Sequence, residues 1–283
     1  MTQIERKYSS SSKVRPNDRS SDAISPNFIY GCCGGCMSSY CYVGRYNADK
    51  VRIDLNTQRI FSQLNKWALT QPWPKKANQV DPEYYVIDIG CSTDVGLHWK
   101  HYDWHKVLTF FDLHPKLKSS FATKYPSMLK IGNIHRKEKH RVRISLMPQT
   151  YSTILEPHTD LIDARIDCMA KLSEQVEVHL NFSPIIYADN WLAEYEDLFK
   201  KVKSAGIPFK SECIFLTYSQ VQANRNSTEV NALCYNEDLQ ETKTSEHGGE
   251  NLRYKHQLKG RMIENFKDLY GKYFDLSTIR YIF

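Results

Sequence analysis

The sequence predicts an α/β chain folded as a partial (β/α)6 TIM-like barrel with a short C-terminal extension. Three observations carry that expectation. Short, apolar, β-branched runs alternate with longer amphipathic runs at the spacing of βαβ units. Five or six such strands precede residue 218, fewer than the eight of a closed barrel. The residues after each strand are polar or reactive, which suits a fold whose chemistry sits at strand C-termini.

Taken in order, residues 1–25 are rich in Ser, Arg and Lys and lack periodicity, so a disordered arm is expected there. "NFIYGC" (27–32) fits a first strand. "YYVIDIG" (84–90) is apolar and ends in Gly, the pattern of a buried strand. "WHKVLTFFDLH" (104–114) has helical spacing at Val107, Leu108 and Phe111. "SSFATKY" (119–125) and "RVRISLMP" (141–148) read as strands, the second stopped by Pro148. "TDLIDARIDCMAKLSEQ" (159–175) is an amphipathic helix, with Thr159 and Asp160 at its N-terminus. "VEVHLNFSPII" (176–186) is a strand, "WLAEYEDLFKKVKSAG" (191–206) a helix closed by Gly206, and "FKSECIFLT" (209–217) a strand. Residues 218–250 are polar and poorly periodic and read as a long loop. Residues 251–274 form a basic-fronted amphipathic helix, and "IRYIF" (279–283) a final strand. The organisation is an arm (1–25), a barrel (26–218) and an extension (219–283).

The bulk numbers limit the function classes. With 283 residues and 41% hydrophobic content, the chain has material for a large core. No apolar run approaches the ~18 residues of a membrane span, and the N-terminus lacks a secretory apolar stretch. A cytoplasmic protein with reduced thiols is expected. Net charge is a modest +6, yet residues 116–143 hold nine Lys/Arg against Glu138 alone. That run reads either as a phosphate-facing patch or as a solvated face.

The densest chemistry lies in "YGCCGGCMSSYCYVG" (30–44), which holds Cys32, Cys33, Cys36 and Cys41. A disulfide knot fits poorly with reducing surroundings. A zinc finger needs two separated ligand pairs, and Cys168, Cys213 and Cys234 stand alone; a zinc or nucleic-acid-binding module without catalysis stays open. Three thiolates in one loop suit an iron–sulfur cluster with one iron left open for S-adenosylmethionine.

These residues resemble those of the radical S-adenosylmethionine superfamily, and the whole chain from 27 to 283 resembles its spore photoproduct lyase family. The family spacing is C-x3-C-x2-C, with the last Cys between tyrosines. Here Cys32 and Cys36 keep the x3 gap and Cys41 lies between Tyr40 and Tyr42, but four residues separate Cys36 from Cys41. Cys33-x2-Cys36-x4-Cys41 is the alternative set.

The resemblance implies a 4Fe-4S cluster on Cys32, Cys36 and Cys41, with S-adenosyl-L-methionine as co-substrate. "GCSTDVGL" (90–97) resembles the segment whose Cys returns a hydrogen atom to the repaired base. It implies Cys91 as donor, Tyr42 as relay, and Ser92 and Asp94 beside the cofactor. "FATKYP" and "RVRISLMP" imply that Lys124 and Ser145 contact it too. "EPHTDLIDARI" (156–166) matches a further family segment. "QETKTSEHGGENLRY" resembles the DNA-contacting C-terminal segment, which makes Arg253, Tyr254 and Lys255 candidates. The implied reaction is carbon–carbon cleavage of an ultraviolet thymine dimer in DNA, with electrons from a flavodoxin or ferredoxin. A radical enzyme of this architecture with another substrate is the alternative.

Overall fold

The structure is a computed structural model that describes residues 3–7, 12–46, 50–132, 134–244 and 250–283. Its strands are β1 (Gln3–Lys7), β2 (Arg15–Pro16), β3 (Ala23–Ile24), β4 (Ile29–Tyr30), β5 (Lys50–Asp54), β6 (Tyr85–Asp88) and β7 (Leu117–Thr123). They continue with β8 (His140–Leu146), β9 (Glu177–Ile185), β10 (Lys210–Phe215), β11 (Thr217–Tyr218), β12 (Gln240–Thr244), β13 (Glu250–Tyr254) and β14 (Ile279–Ile282). The helices are α1 (Tyr42–Tyr46), α2 (Thr57–Thr70), α3 (Trp104–Leu113), α4 (Gln149–Leu155), α5 (Ile162–Gln175), α6 (Trp191–Ser204), α7 (Gln220–Arg225), α8 (Thr228–Cys234) and α9 (His256–Gly271).

The main sheet runs β14-β10-β9-β8-β7-β6-β3-β2. From β3 to β14 every neighbouring pair is parallel, and β2 closes one edge antiparallel. It curls into a half-barrel of α/β type, as the alternating pattern predicts. The barrel sequence opens on β3, upstream of the expected 27–32 run. The Ile29–Tyr30 strand instead pairs with β5 in a separate small sheet.

Two further expectations are corrected. The arm is not disordered throughout: β2 and β3 lie inside it, Ser21, Ala23 and Ser25 are buried, and Asp22 pairs with Lys75 at 2.8 Å. A low-hydrophobicity segment can still be ordered when its few apolar and ionic groups find buried partners; residues 1–2 and 8–11 of it lie outside the described residues. The long loop at 218–250 contains α7, α8 and β12. These are too short to show a period, and side-chain caps define them: Ser219 and Ser227 accept the first-turn N–H of Gln222 and Val230. Residues 245–249 lie outside the described residues.

Alternation on the strands divides the sheet's two faces. Val142, Ile144 and Leu146 of β8 belong to the main apolar core, and α3 and α5 pack against β8. Phe182 of β9 stacks edge-on with Phe199 of α6 and Phe266 of α9, which welds the last helix to the barrel. Each such buried aromatic contributes about 1.5–3 kcal/mol. Gly206 ends α6 with φ +67, the left-handed stop read from its sequence. α5 begins later than expected, at Ile162. Gln149 Oε1 accepts the Ile162 N–H at 2.8 Å, while Thr159 turns away to Arg165.

The alternate positions on β8, Arg141, Arg143 and Ser145, face inward, and part of the basic run 116–143 finds its place there, while Lys130 and Lys137 are exposed. Lys118 and Arg141 both pair with Asp81, and Arg143 joins Asp88 at 2.6 Å to Glu212 at 3.3 Å. Lys139 is buried and donates to the His114 carbonyl. Neither a phosphate-facing patch nor a solvated face describes these four cations; Lys118, Arg141 and Arg143 form a paired ionic plug below the strand ends, and Lys139 is held by a carbonyl. Burial of such charges demands pairing, and the acids come from distant segments.

Candidate active site

Above that plug lies a cavity of about 690 Å³. The C-terminal ends of β6 to β10 and the cysteine loop line it. The loop's course follows from close backbone approaches. A side chain at Gly35 would strike the Pro157 carbonyl, and one at Gly44 the Met37 carbonyl. Cys32, Met37 and Val43 pack into a small apolar cluster of their own. Tyr40 donates to Glu156, and Ser39 Oγ contacts the Leu155 carbonyl at 2.6 Å.

Cys32, Cys36 and Cys41 all line the cavity. Cys33 does not. It is exposed, with its sulfur 4.0 Å from His98 Nε2. Burial pushes the Cys32 thiol up to about 12, although the Gly34 N–H lies 3.4 Å from its sulfur. Cys36 and Cys41 share a hydrogen bond. It pulls Cys41 down to about 6 against the effect of burial, and together with burial pushes Cys36 well up. Among the described residues, no group of three or more His, Cys, Asp or Glu side chains is gathered to hold a metal ion.

Lys124 follows β7 and reaches toward these thiols. Its Nζ lies 3.8 Å from Glu156 Oε1 and 5.8 Å from the Tyr40 ring centre. Burial alone would lower its pKa, but Cys36, Glu156, Cys41 and Asp94 outweigh it and raise it. Lys124 is therefore a fixed cation. Ser145 is buried on the cavity wall, and its carbonyl accepts from Arg165 at 2.8 Å.

Cys91 follows β6 and lines the same cavity. Tyr42 Oη lies 3.4 Å from its sulfur and also contacts the Cys91 carbonyl. Burial and then Asp88 raise the Cys91 thiol, so it stays protonated at neutral pH. Asp94 lines the cavity too, but its oxygens are committed to Thr123 Oγ1 (2.6 Å), the Lys124 N–H (2.8 Å) and the Leu97 N–H (3.2 Å). It pins the β7 end. Ser92 is off the cavity lining, and its carbonyl accepts the Gly31 N–H.

The C-terminal candidates separate. Tyr254 is a core residue whose hydroxyl accepts the Tyr187 N–H at 2.9 Å, which removes it from a surface role. Arg253 is half-buried, and Lys255 is exposed and donates to the Asp238 carbonyl. At the cavity mouth stands a residue pair that sequence reading missed: Arg19 lies 4.3 Å over the Phe283 ring, and both line the cavity. Nothing local signals it, because the two residues lie at opposite ends of the chain. Glu156 was also missed as a functional residue. It bonds Arg165 at 2.8 Å, and both are completely enclosed. Its signal was the quoted "EPHTDLIDARI" segment, whose Glu, Thr and Arg converge.

Comparison with known proteins follows the same lines. A family model described as spore photoproduct lyase matches residues 16–283. A curated spore photoproduct lyase from Clostridium acetobutylicum is 22% identical over 183 residues, which is 62% of this chain and 52% of the relative. The chain thus spans about half the length of that relative. A solved spore photoproduct lyase complexed with dinucleoside spore photoproduct superposes with a TM-score of 0.85 at 18% identity, covering 99% of this chain and 82% of that one. A mutant of spore photoproduct lyase with bound AdoMet and dinucleoside spore photoproduct gives 0.84 at 17% identity, with the same coverage. The fold is the partial barrel of the radical S-adenosylmethionine superfamily. Within it, the chain belongs to the spore photoproduct lyase family.

Proposed function

We propose that this chain is a radical S-adenosylmethionine lyase that reverses an ultraviolet thymine dimer of the spore photoproduct type in DNA. The observation that carries this reading is that a three-cysteine loop and the protonated thiol of Cys91 line one cavity. Family membership supports the substrate class.

The donor set fits a 4Fe-4S cluster. Cys32, Cys36 and Cys41 line one cavity, so three thiolates from a single loop are available to hold it. Cys41 is already inclined to the thiolate, the form that binds iron. When bound, such a cluster with S-adenosyl-L-methionine at its open iron supplies a 5′-deoxyadenosyl radical able to take hydrogen from the lesion. The residues here hold and orient. Lys124 offers an ammonium to the co-substrate carboxylate, and Ser145 borders the same wall. Cys91 keeps its S–H bond, which is weak enough to give a hydrogen atom to a carbon radical left after fragmentation. That transfer leaves a thiyl radical on Cys91, and Tyr42 Oη, 3.4 Å from the sulfur, is the relay through which it would regain a hydrogen atom from 5′-deoxyadenosine. A lesion must leave the helical stack to reach this depth, and extrusion costs least at a damaged step. The electrons come from an external one-electron donor of the flavodoxin or ferredoxin kind.

Anaerobic reconstitution with iron and sulfide tests the reading. The unaltered chain and Cys33→Ala should gain broad visible absorbance and bind S-adenosylmethionine, and Cys41→Ala should not. A colourless protein that takes up only zinc would overturn it.

A further inference from the structure

The four-residue gap between Cys36 and Cys41 poses a physical problem. A wider loop has more conformations, yet Cys41 must stay beside Cys36 and Lys124. The turn also leaves backbone carbonyls facing protein interior, where each needs a donor. The structure supplies those donors from a distant segment. Gln222 Nε2 lies 3.1 Å from the Ser39 carbonyl and 3.4 Å from that of Cys41. Asn226 Nδ2 donates to the Ser39 carbonyl at 2.9 Å, and Arg225 Nη1 to that of Gly44 at 3.1 Å. The grip is itself built. Ser219 Oγ donates to Gln222 Oε1 at 3.0 Å, which turns the amide nitrogen toward the loop. Tyr218, held by Asn231, takes the other Asn226 contact.

We propose that α7 is a clamp for the cysteine loop, with Gln222 and Asn226 as positioning residues that fix Cys41. Both donors meet on Ser39, a buried residue inside the widened gap. The segment read from sequence as an extension toward DNA therefore also reaches back to the barrel's cysteine loop. The consequence for iron binding rests on the function proposed above; the positioning of Cys41 does not.

The test compares the unaltered full chain with Asn226→Ala and with Gln222→Ala/Asn226→Ala. In the metal-free protein, iodoacetamide labelling of Cys41 is read by mass spectrometry against Cys91 as internal reference. The clamp predicts a rise in the Cys41-to-Cys91 labelling ratio of roughly five- to tenfold in the double variant, the change expected from losing one or two modest hydrogen bonds. The single variant, at a half-buried position, should show a smaller rise with an unchanged melting temperature. After reconstitution, iron should pass to a chelator faster in the same order. An unchanged labelling ratio in both variants overturns the proposal. So does equal acceleration at both cysteines, which would report general loosening. If the unaltered chain takes up no iron, the function proposed above fails, and the labelling ratio still decides the clamp.

Discussion

Glu156 shows how much a single buried residue organises. It receives Arg165, lies close to Lys124 and accepts from Tyr40, so it ties α5, the β7 end and the cysteine loop to one carboxylate. Replacing it by Gln leaves Arg165 enclosed without its counter-charge, although the Ser145 and Asp160 carbonyls still accept from it. The expected cost is about 3 kcal/mol in denaturant unfolding, the low end for breaking a buried pair. Lys201→Ala, which removes the exposed pair with Asp163, should cost no more than about 0.5 kcal/mol. A Glu156→Gln loss as small as that would mean the carboxylate is not the hub described. At this scale residue type and spacing singled out Cys32, Cys36 and Cys41, and the structure brings all three to one cavity. Spacing favoured Cys32 over Cys33 but left both sets open, because which of the two turns inward depends on backbone contacts such as Gly35 against Pro157.

The elements of the barrel were readable because each strand pairs an apolar outer face with a recognisable stop. The inner face was not readable, since Arg141, Arg143, Glu177 and His179 look like surface charge until the sheet curls around them. Histidines on that face and outside it set part of the response to acid. Burial holds His179 down to about 3 and His98 and His114 each to about 4, all below the ordinary 6.5. Between those values and ~6.5 the unfolded chain binds protons that the folded chain refuses, so stability rises with pH across that window. The urea midpoint should therefore fall on going from about pH 7.5 to about pH 5, and His179→Asn should flatten the fall. A midpoint constant over that range would contradict neutral histidines at these positions.

The whole molecule brings both ends of the chain to one cavity. Arg19 and Phe283 meet at its mouth, β14 flanks β10, and α7 grips the cysteine loop. Long-range closure of this kind leaves no local pattern, which is why 218–250 read as a loop and 1–25 as an arm. The half-barrel itself was legible, because βαβ alternation is a repeated local signal. Among the described residues no helix is long and apolar enough to cross a membrane. The central claim is that the cysteine loop and Cys91, which line one cavity, serve one reaction. It is tested most directly by supplying DNA containing spore photoproduct, reductant and S-adenosylmethionine to the reconstituted chain and to Cys91→Ala. The unaltered chain should restore thymines and release 5′-deoxyadenosine. Cys91→Ala should still release 5′-deoxyadenosine but lose clean repair by at least about tenfold. Undiminished repair by Cys91→Ala, or cofactor cleavage by the unaltered chain with the lesion left intact, would contradict the account.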